Sequence, residues 1–340
     1  MMWLTTFASE PCAVRGDNAP RTRRFHHRRW IMLEELHTNP QTRRFLNTST
    51  GQCIQVDLPE LRDHRLLQPT TEGLLVLLCR ATNVVRLLNP FTRQVTELPR
   101  ITARLGSEFR GPPDYAGLAD DGTVLLYFCR INKLAFAKPG DEHWVFVKFK
   151  GLLMPAISFA GRFYAVTTNA VMTVETRGNL PPRLVVAAKL AKPVSRMADT
   201  AHLVDNGGEL MLVHSKVREN PDAEDSFKRK YKVYHVDLDA GNTIPAHGLS
   251  GRAAFIGLYS ALSVSPQVFP YINADRVYPG FNLVERKGYE HIGSYNLGDG
   301  SIELSKYNTQ SSLPLPWSIA DFLAAHICQR MQHARSTFSG

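Results

Sequence analysis

Phe45-Leu46-Asn47-Thr48-Ser49-Thr50-Gly51 and Leu87-Leu88-Asn89-Pro90-Phe91-Thr92-Arg93 write one hairpin twice, with their asparagines 42 residues apart. Each follows a short apolar run and leads to an acidic residue, then Leu-Pro: Asp57-Leu58-Pro59 in the first copy, Glu97-Leu98-Pro99 in the second. A period of about 40–45 residues is what four short strands and their turns occupy in one blade of a β-propeller. The turn chemistry agrees. Proline presets φ at the first central position after Asn89, and an asparagine side chain bonds its own backbone. Gly51 stands where a left-handed residue closes the first hairpin; Arg93 takes that place in the second, at a cost in backbone strain.

From Trp30 onward, short runs rich in Val, Leu, Phe and Tyr alternate with Gly, Asn, Asp or Pro, which is the signature of strands and turns. Examples are Gly73–Cys79, Val84–Leu88, Thr123–Cys129, Arg162–Thr167, Glu209–Val217, Lys230–Leu238 and Glu290–Asn296. Asp120-Asp121-Gly122 and Asn206-Gly207-Gly208 mark further hairpin turns. About twenty-two strands are legible, which predicts an all-β propeller of six or seven four-stranded blades. The expected division is a basic, disordered leader over 1–28, the propeller over 29–312, and a C-terminal helix and tail over 313–340.

Two segments depart from the strand rhythm. Between Glu209–Val217 and Lys230–Leu238 lies a polar stretch, Arg218–Arg229. It is longer than a hairpin needs and reads either as a partner-contacting loop or as a solvated hairpin tip. At the end, Ser318 is a fitting N-cap with Asp321 three residues on, and Ile319, Phe322, Leu323, Ile327 and Met331 form one apolar stripe. That helix is expected to pack on the propeller.

Composition is that of a globular protein: 340 residues, 44% hydrophobic and 21% charged, with a formal net charge of +9. Residues 1–44 hold eight arginines against four carboxylates. The cluster Arg21–Arg29 reads as a solvated leader, an organelle-targeting segment, or a nuclear-import or nucleic-acid patch. No aromatic-interleaved basic stripe follows it, so nucleic acid is not the expected partner. The five cysteines, Cys12, Cys53, Cys79, Cys129 and Cys328, are scattered and odd in number. Free buried thiols in a reducing compartment are expected, with Cys79 and Cys129 closing apolar strands. Runs such as Leu74–Cys79 are far too short to cross a bilayer, so the predicted setting is intracellular, in nucleus or cytoplasm.

The chain resembles the plant F-box-associated proteins of the DUF295 type, the KIB1–4 β-propeller family. The resemblance rests on Trp30-Ile31-Met32-Leu33, Glu72-Gly73-Leu74, Leu87–Thr92, Glu97-Leu98-Pro99, Gly161–Ala165, Gly208–Val213, Tyr231–Leu238, Ala254–Gly257 and Asp275–Tyr278, in that order. It spans residues 29–305, with Leu74 where the family often has Trp and Pro279 interrupting the strand after Tyr278. What the resemblance implies is a propeller that selects substrates for a ubiquitin ligase. Members usually carry an N-terminal F-box that docks on Skp1. The residues ahead of Trp30 show no run of amphipathic helices, so no F-box is expected here and Skp1 binding is doubtful.

The sequence carries no specific catalytic signature. There is no Gly-x-Ser-x-Gly elbow and no phosphate-cradling glycine loop. His26-His27 and the pair His326 and Cys328 lack the neighbours of a zinc site. Asp120-Asp121 could pair for acid/base work, but beside Gly122 they read as turn residues. No catalytic, cofactor-binding or metal residue is therefore predicted, no cofactor is expected, and the protein-binding residues are unknown. Two functional classes stand: a non-catalytic propeller that binds a protein partner, and a propeller enzyme or small-molecule binder using the axial channel.

Overall fold

A computed structural model describes residues 30–33, 41–70, 72–101, 113–128, 131, 133–148, 156–175, 182–195, 199–219, 227–257, 260–280, 292–304 and 323. Four sheet units are antiparallel meanders of four strands, the units of a propeller. They are β4 (His64–Pro69) to β7 (Val95–Arg100) through β5 (Leu75–Cys79) and β6 (Val84–Leu88), and β8 (Tyr115–Leu118) to β11 (Val145–Lys148) through β9 (Val124–Phe128) and β10 (Lys133–Ala137). Next come β12 (Ile157–Phe159) to β15 (Arg183–Lys189) through β13 (Arg162–Val166) and β14 (Ala170–Glu175). The fourth runs from β16 (Thr200–Asp205) to β19 (Asn242–Ala246) through β17 (Leu210–Glu219) and β18 (Phe227–Asp237). The last two units are joined at their outer strands by one parallel pair, Lys189 with Asn242.

Two sheets differ. Ahead of the meanders, β1 (Trp30–Met32), β2 (Thr42–Asn47) and β3 (Cys53–Asp57) form a three-stranded sheet. After them come β20 (Ala253–Ile256), β21 (Ala261–Val264), β22 (Arg276–Pro279), β23 (Ile292–Asn296) and β24 (Ile302–Leu304). Their order is β21-β20-β22-β23-β24, with β22 parallel to β20. Among the described residues, then, regular four-stranded blades number four rather than six or seven. The reason is local: after β21 the chain crosses back through residues 265–275 and adds a strand on the far side of β20, where a meander would have continued outward. Pro279 ends β22 instead of interrupting it. Most of the expected C-terminal helix lies outside the described residues. Its Leu323 is fully buried beside Leu33, Phe255 and Tyr278.

The apolar residues show why strands this short hold together. Successive side chains on a strand point to opposite faces, and the middle strands deal theirs alternately to two neighbouring cores. On β5, Leu75 and Leu77 join a cluster with Met32, Phe45 and Leu58 of the first sheet region, whereas Val76 joins one with Ala116 and Val124. On β9, Leu126 and Phe128 face back toward β4–β7, while Leu125 and Tyr127 meet Phe163 and Ala165 of β13. Tyr164 and Val166 of β13 meet Leu210 and Leu212 of β17, and Met211 and Val213 of β17 meet Ala254 and Ile256 of β20. Ala253 and Phe255 then pack with Leu33 and Leu46, which returns to the first sheet. Burial on both faces is what turns these strands into near-continuous apolar runs.

The repeated hairpins superimpose bond for bond. Asn47 Oδ1 accepts the Ser49 and Thr50 amides at 2.9 and 3.2 Å, and Asn89 Oδ1 accepts those of Phe91 and Thr92 at 3.0 and 3.1 Å. The fifth residue of each turn donates its amide to the asparagine carbonyl, Gly51 at 2.8 Å and Arg93 at 2.9 Å, and both have positive φ, 73° and 64°. Asp237–Gly241 and Asn296–Gly300 are two further copies, unread in the sequence. Asp237 Oδ1 accepts the amides of Asp239 and Ala240, Asn296 Oδ1 accepts that of Gly298, and both turns close on a glycine of positive φ.

Candidate functional site

The polar stretch Arg218–Arg229 is not a wide loop. β17 and β18 continue through it as a two-stranded ribbon, paired in register as far as Glu219 opposite Phe227; residues 220–226 lie outside the described residues. Strands of ten and eleven residues reach about 33 Å, and their neighbours stop short. Pairing with β16 ends at Ser215, and pairing with β19 ends at Val233. Beyond those points, among the described residues, the two strands pair only with each other.

The register sets Lys216 opposite Lys230, with Lys232 two residues further along the same strand. Residues of this parity lie on the side that carries Leu210, Leu212, Tyr234 and Val236, so the cations share one face. Lys230 and Lys232 are exposed and Lys216 is half-buried. Among the described residues none of these three has a carboxylate within salt-bridge distance. At the base of the face, Asp199 is already engaged: it accepts from His214 Nε2 at 3.0 Å and from the Ser195 amide at 3.2 Å, with both partners of the His–Asp pair buried. Like charges directly opposite destabilise a sheet. The opposite face carries Met211, Val213, Val233 and Tyr231, which is buried against Tyr295 at a ring separation of 5.2 Å, together with the buried Ser215 and Arg229.

Other residues singled out in the sequence serve the fold. Asp121 is a turn residue: Oδ1 accepts the Thr123 amide at 3.0 Å, and Oδ2 pairs with Lys138 Nζ at 2.7 Å. Partial burial raises its carboxyl, but those bonds outweigh it and hold the pKa down to about 2. Asp120 packs against Gly161 and donates its amide to that residue's carbonyl at 3.0 Å. Cys79 is half-buried rather than buried, because it sits at the exposed end of β5, and hydrogen bonds from Thr82 lower its pKa. Cys53 is also half-buried, and desolvation raises its thiol. Cys12, Cys129, Cys328, His26, His27 and His326 lie outside the described residues. Among the described residues no three His, Cys, Asp or Glu side chains are grouped as metal ligands, and no helix is long and apolar enough to cross a membrane.

Near the axis the strands β4, β8, β12, β16 and β21 approach one another in turn. Their polar groups bind each other across the sheets. Tyr115 OH lies 3.2 Å from Ser158 Oγ and accepts the Ser158 amide at 2.8 Å. Gln68 Nε2 donates to Pro113 O at 3.1 Å, and Ser263 Oγ donates to Asn206 Oδ1 at 2.7 Å while accepting from Arg252 Nε. Burial lowers the Arg252 pKa, with Asp205 opposing it.

Comparison with known proteins adds a family. The KIB1-4 beta-propeller family model matches residues 45–296. The chain matches no curated protein. Among solved structures it is similar to virginiamycin B lyase from Staphylococcus aureus (9% identity, 61% of this chain and 77% of that one, TM-score 0.32). It is also similar to the hydrazine synthase of Kuenenia stuttgartiensis (14%, 63% and 64%, 0.33) and to the N-terminal domain of Nup159 (9%, 59% and 57%, 0.32).

Proposed function

Because this chain belongs to the KIB1-4 β-propeller family, we propose that it is a non-catalytic propeller whose work is to hold a protein partner. The three-stranded and five-stranded sheets serve as the remaining sectors of a six-membered ring, since each apolar cluster is shared by two successive sheets and the last returns to the first. The observation that carries the function is the β17–β18 ribbon. It extends past both neighbouring strands with a row of cations that the described residues leave uncompensated. Its lysine face adds nothing to the core, which the other face meets through Tyr231, and does much for an encounter with an oppositely charged surface.

The family resemblance suggests the substrate-receptor part of a ubiquitin ligase, with the propeller choosing the substrate. Affinity purification of the full chain from plant cell extract, read by mass spectrometry, tests both parts. A reproducible protein partner is the expected result. Recovery of Skp1 among the partners extends the reading to a ligase adaptor, and its absence confines it to partner binding. Binding of a metabolite with no protein partner would defeat the proposal.

A further inference from the structure

We propose that Arg252 anchors a carboxylate-binding site in the seam where the β16–β17 turn meets the sheet of β20 and β21: the outward fork of its guanidinium, Nη1 with Nη2, receives the two oxygens of one carboxylate. The ribbon and its lysines play no part in this site, so it stands apart from the protein-binding reading above. Three observations carry it. First, the guanidinium is held in one orientation. Nε donates to Ser263 Oγ at 2.9 Å and Nη2 to the Ser263 carbonyl at 3.2 Å. Ser263 Oγ is itself fixed, because it donates to Asn206 Oδ1 at 2.7 Å, and Asn206 Nδ2 donates to the Leu249 carbonyl at 3.0 Å. Asn206 and Ser263 are both buried. Secondly, that support uses one edge only. A guanidinium carries five N–H donors in a fixed fork, and Ser263 takes the edge formed by Nε and Nη2. The edge formed by Nη1 and Nη2, whose parallel N–H bonds match a carboxylate, has no partner among the described residues. Thirdly, a Cβ at Gly207 would lie 3.6 Å from Cδ, Nε and Cζ of Arg252. The flat side of the guanidinium therefore rests over bare backbone, and the turn puts no side chain of that residue in the way.

Charge selects the ligand. Burial penalises the half-buried Arg252 cation, and the Asp205 charge acts on it from beyond salt-bridge distance. Asp205 Oδ1 instead accepts the Gly208 amide at 2.8 Å, which keeps that carboxylate within its own turn. A ligand carboxylate would replace the water that the cation has lost, through charge-assisted bonds roughly twice as strong as neutral ones. Phosphate fits the fork as well, but it brings up to two charges to a single cation with Asp205 nearby. A singly charged planar acid suits that field better.

The test titrates the full chain into para-fluorobenzoate and follows the probe by fluorine NMR. Saturable binding at about 1 mM or tighter is expected, the scale of one ion-paired contact. Arg252→Lys keeps the charge without the fork and should weaken binding about tenfold. Asp205→Asn keeps an acceptor for the Gly208 amide and removes the opposing charge, so binding should tighten about twofold; a damaged fold cannot produce that gain. Absence of saturable binding, equal binding by Arg252→Lys, or equal binding of the uncharged para-fluorobenzamide overturns the proposal. Inorganic phosphate displacing the probe at lower concentration than acetate does would make this a phosphate site and overturn it too. Retrieval from cell extract by wild type and Arg252→Lys then locates the natural carboxylate. A protein held by wild type and lost by the variant carries it; a protein held equally by both leaves a free acid as the ligand. If neither retrieves a protein, the protein-binding reading fails, while the fluorobenzoate titration still decides the site.

Discussion

The Arg93 guanidinium reaches across from one sheet to the next and pairs with the Glu60 carboxylate at 2.5 Å, while its other amino group donates to the Asp57 carbonyl. Arg93 closes the second hairpin in the left-handed conformation that glycine fills in the first. Its side chain thus does a job that Gly51 cannot do. Phe91 of the same turn lies against Trp30 and Phe45, at ring separations of 5.4 and 5.1 Å, so the β6–β7 turn clasps the first sheet with one ring and one cation. Glu60 belongs to a single 3-10 turn, Pro59–Arg62, opened by the proline of the Asp-Leu-Pro signature. The Glu60 carbonyl accepts from His64 Nδ1 at 2.8 Å, and His64 Nε2 in turn accepts from Arg86, itself paired with Glu97.

Substitutions at Arg93 separate the clasp from the strain. A left-handed non-glycine residue costs about 1–2 kcal/mol, and a half-exposed ion pair is worth up to about 1 kcal/mol. Arg93→Gly loses the clasp but sheds the strain and should stay within about 1 kcal/mol of wild type. Arg93→Ala loses the clasp and keeps the strain, so its urea midpoint should be the lowest of the three. Equal midpoints for the two variants would remove φ from the account.

Lys230→Glu turns the like pair with Lys216 into an opposite one. Folding stability should rise by about 0.2–1 kcal/mol, the usual worth of a cross-strand pair. Chemical denaturation at low and high salt measures it, and the gain should shrink with salt. A loss of stability at low salt would mean that Lys216 and Lys230 do not face each other.

Asp121 makes stability depend on acid. Its pKa is depressed from 3.8 to about 2, so its contribution is present above the ordinary value and disappears as pH falls from 3.8 toward 2. The side chain is 41% exposed, which limits the effect to under about 1 kcal/mol. The gap between wild type and Asp121→Asn, measured by denaturant unfolding, should be widest near neutral pH and close below pH 3. A gap that widens in acid would contradict the sign.

Gly161→Ala tests the turn between β12 and β13. Gly161 has φ of +73°, and a Cβ there would land on the Asp120 carboxylate. A loss of about 2 kcal/mol or more is expected, from strain and displacement together. Asp120→Ala/Gly161→Ala should recover the part due to the collision, leaving the part due to φ.

Half of the turn repeat was legible because Asn47 and Asn89 share both their letters and their Leu-Pro sequel. Asp237–Gly241 is hidden by a change of spelling, since a carboxylate accepts the same amides as an amide oxygen; Asn296–Gly300 keeps its asparagine and glycine, but no Leu-Pro follows at the distance it does after Asn47 and Asn89. The ribbon was missed differently. Its exposed face is written in lysine, which is depleted in strands, although Lys228, Lys230 and Lys232 already show a period of two in the sequence. Nor could local patterning reveal the parallel entry of β22 beside β20, a long-range pairing that stacks Phe255 on Tyr278 at 4.6 Å.

Cores held in common between neighbours, closing on themselves, leave no sheet that is terminal. In a linear stack an end unit can fray or be cut away at the expense of a single contact face. Here excision of any sheet would bare two, one on each flank, as removing β5 would strip partners from both Phe45 and Val124. The molecule is consequently poor material for dissection. A shortened version designed to isolate one sector should aggregate rather than fold, and tolerance to insertion should be confined to the turns.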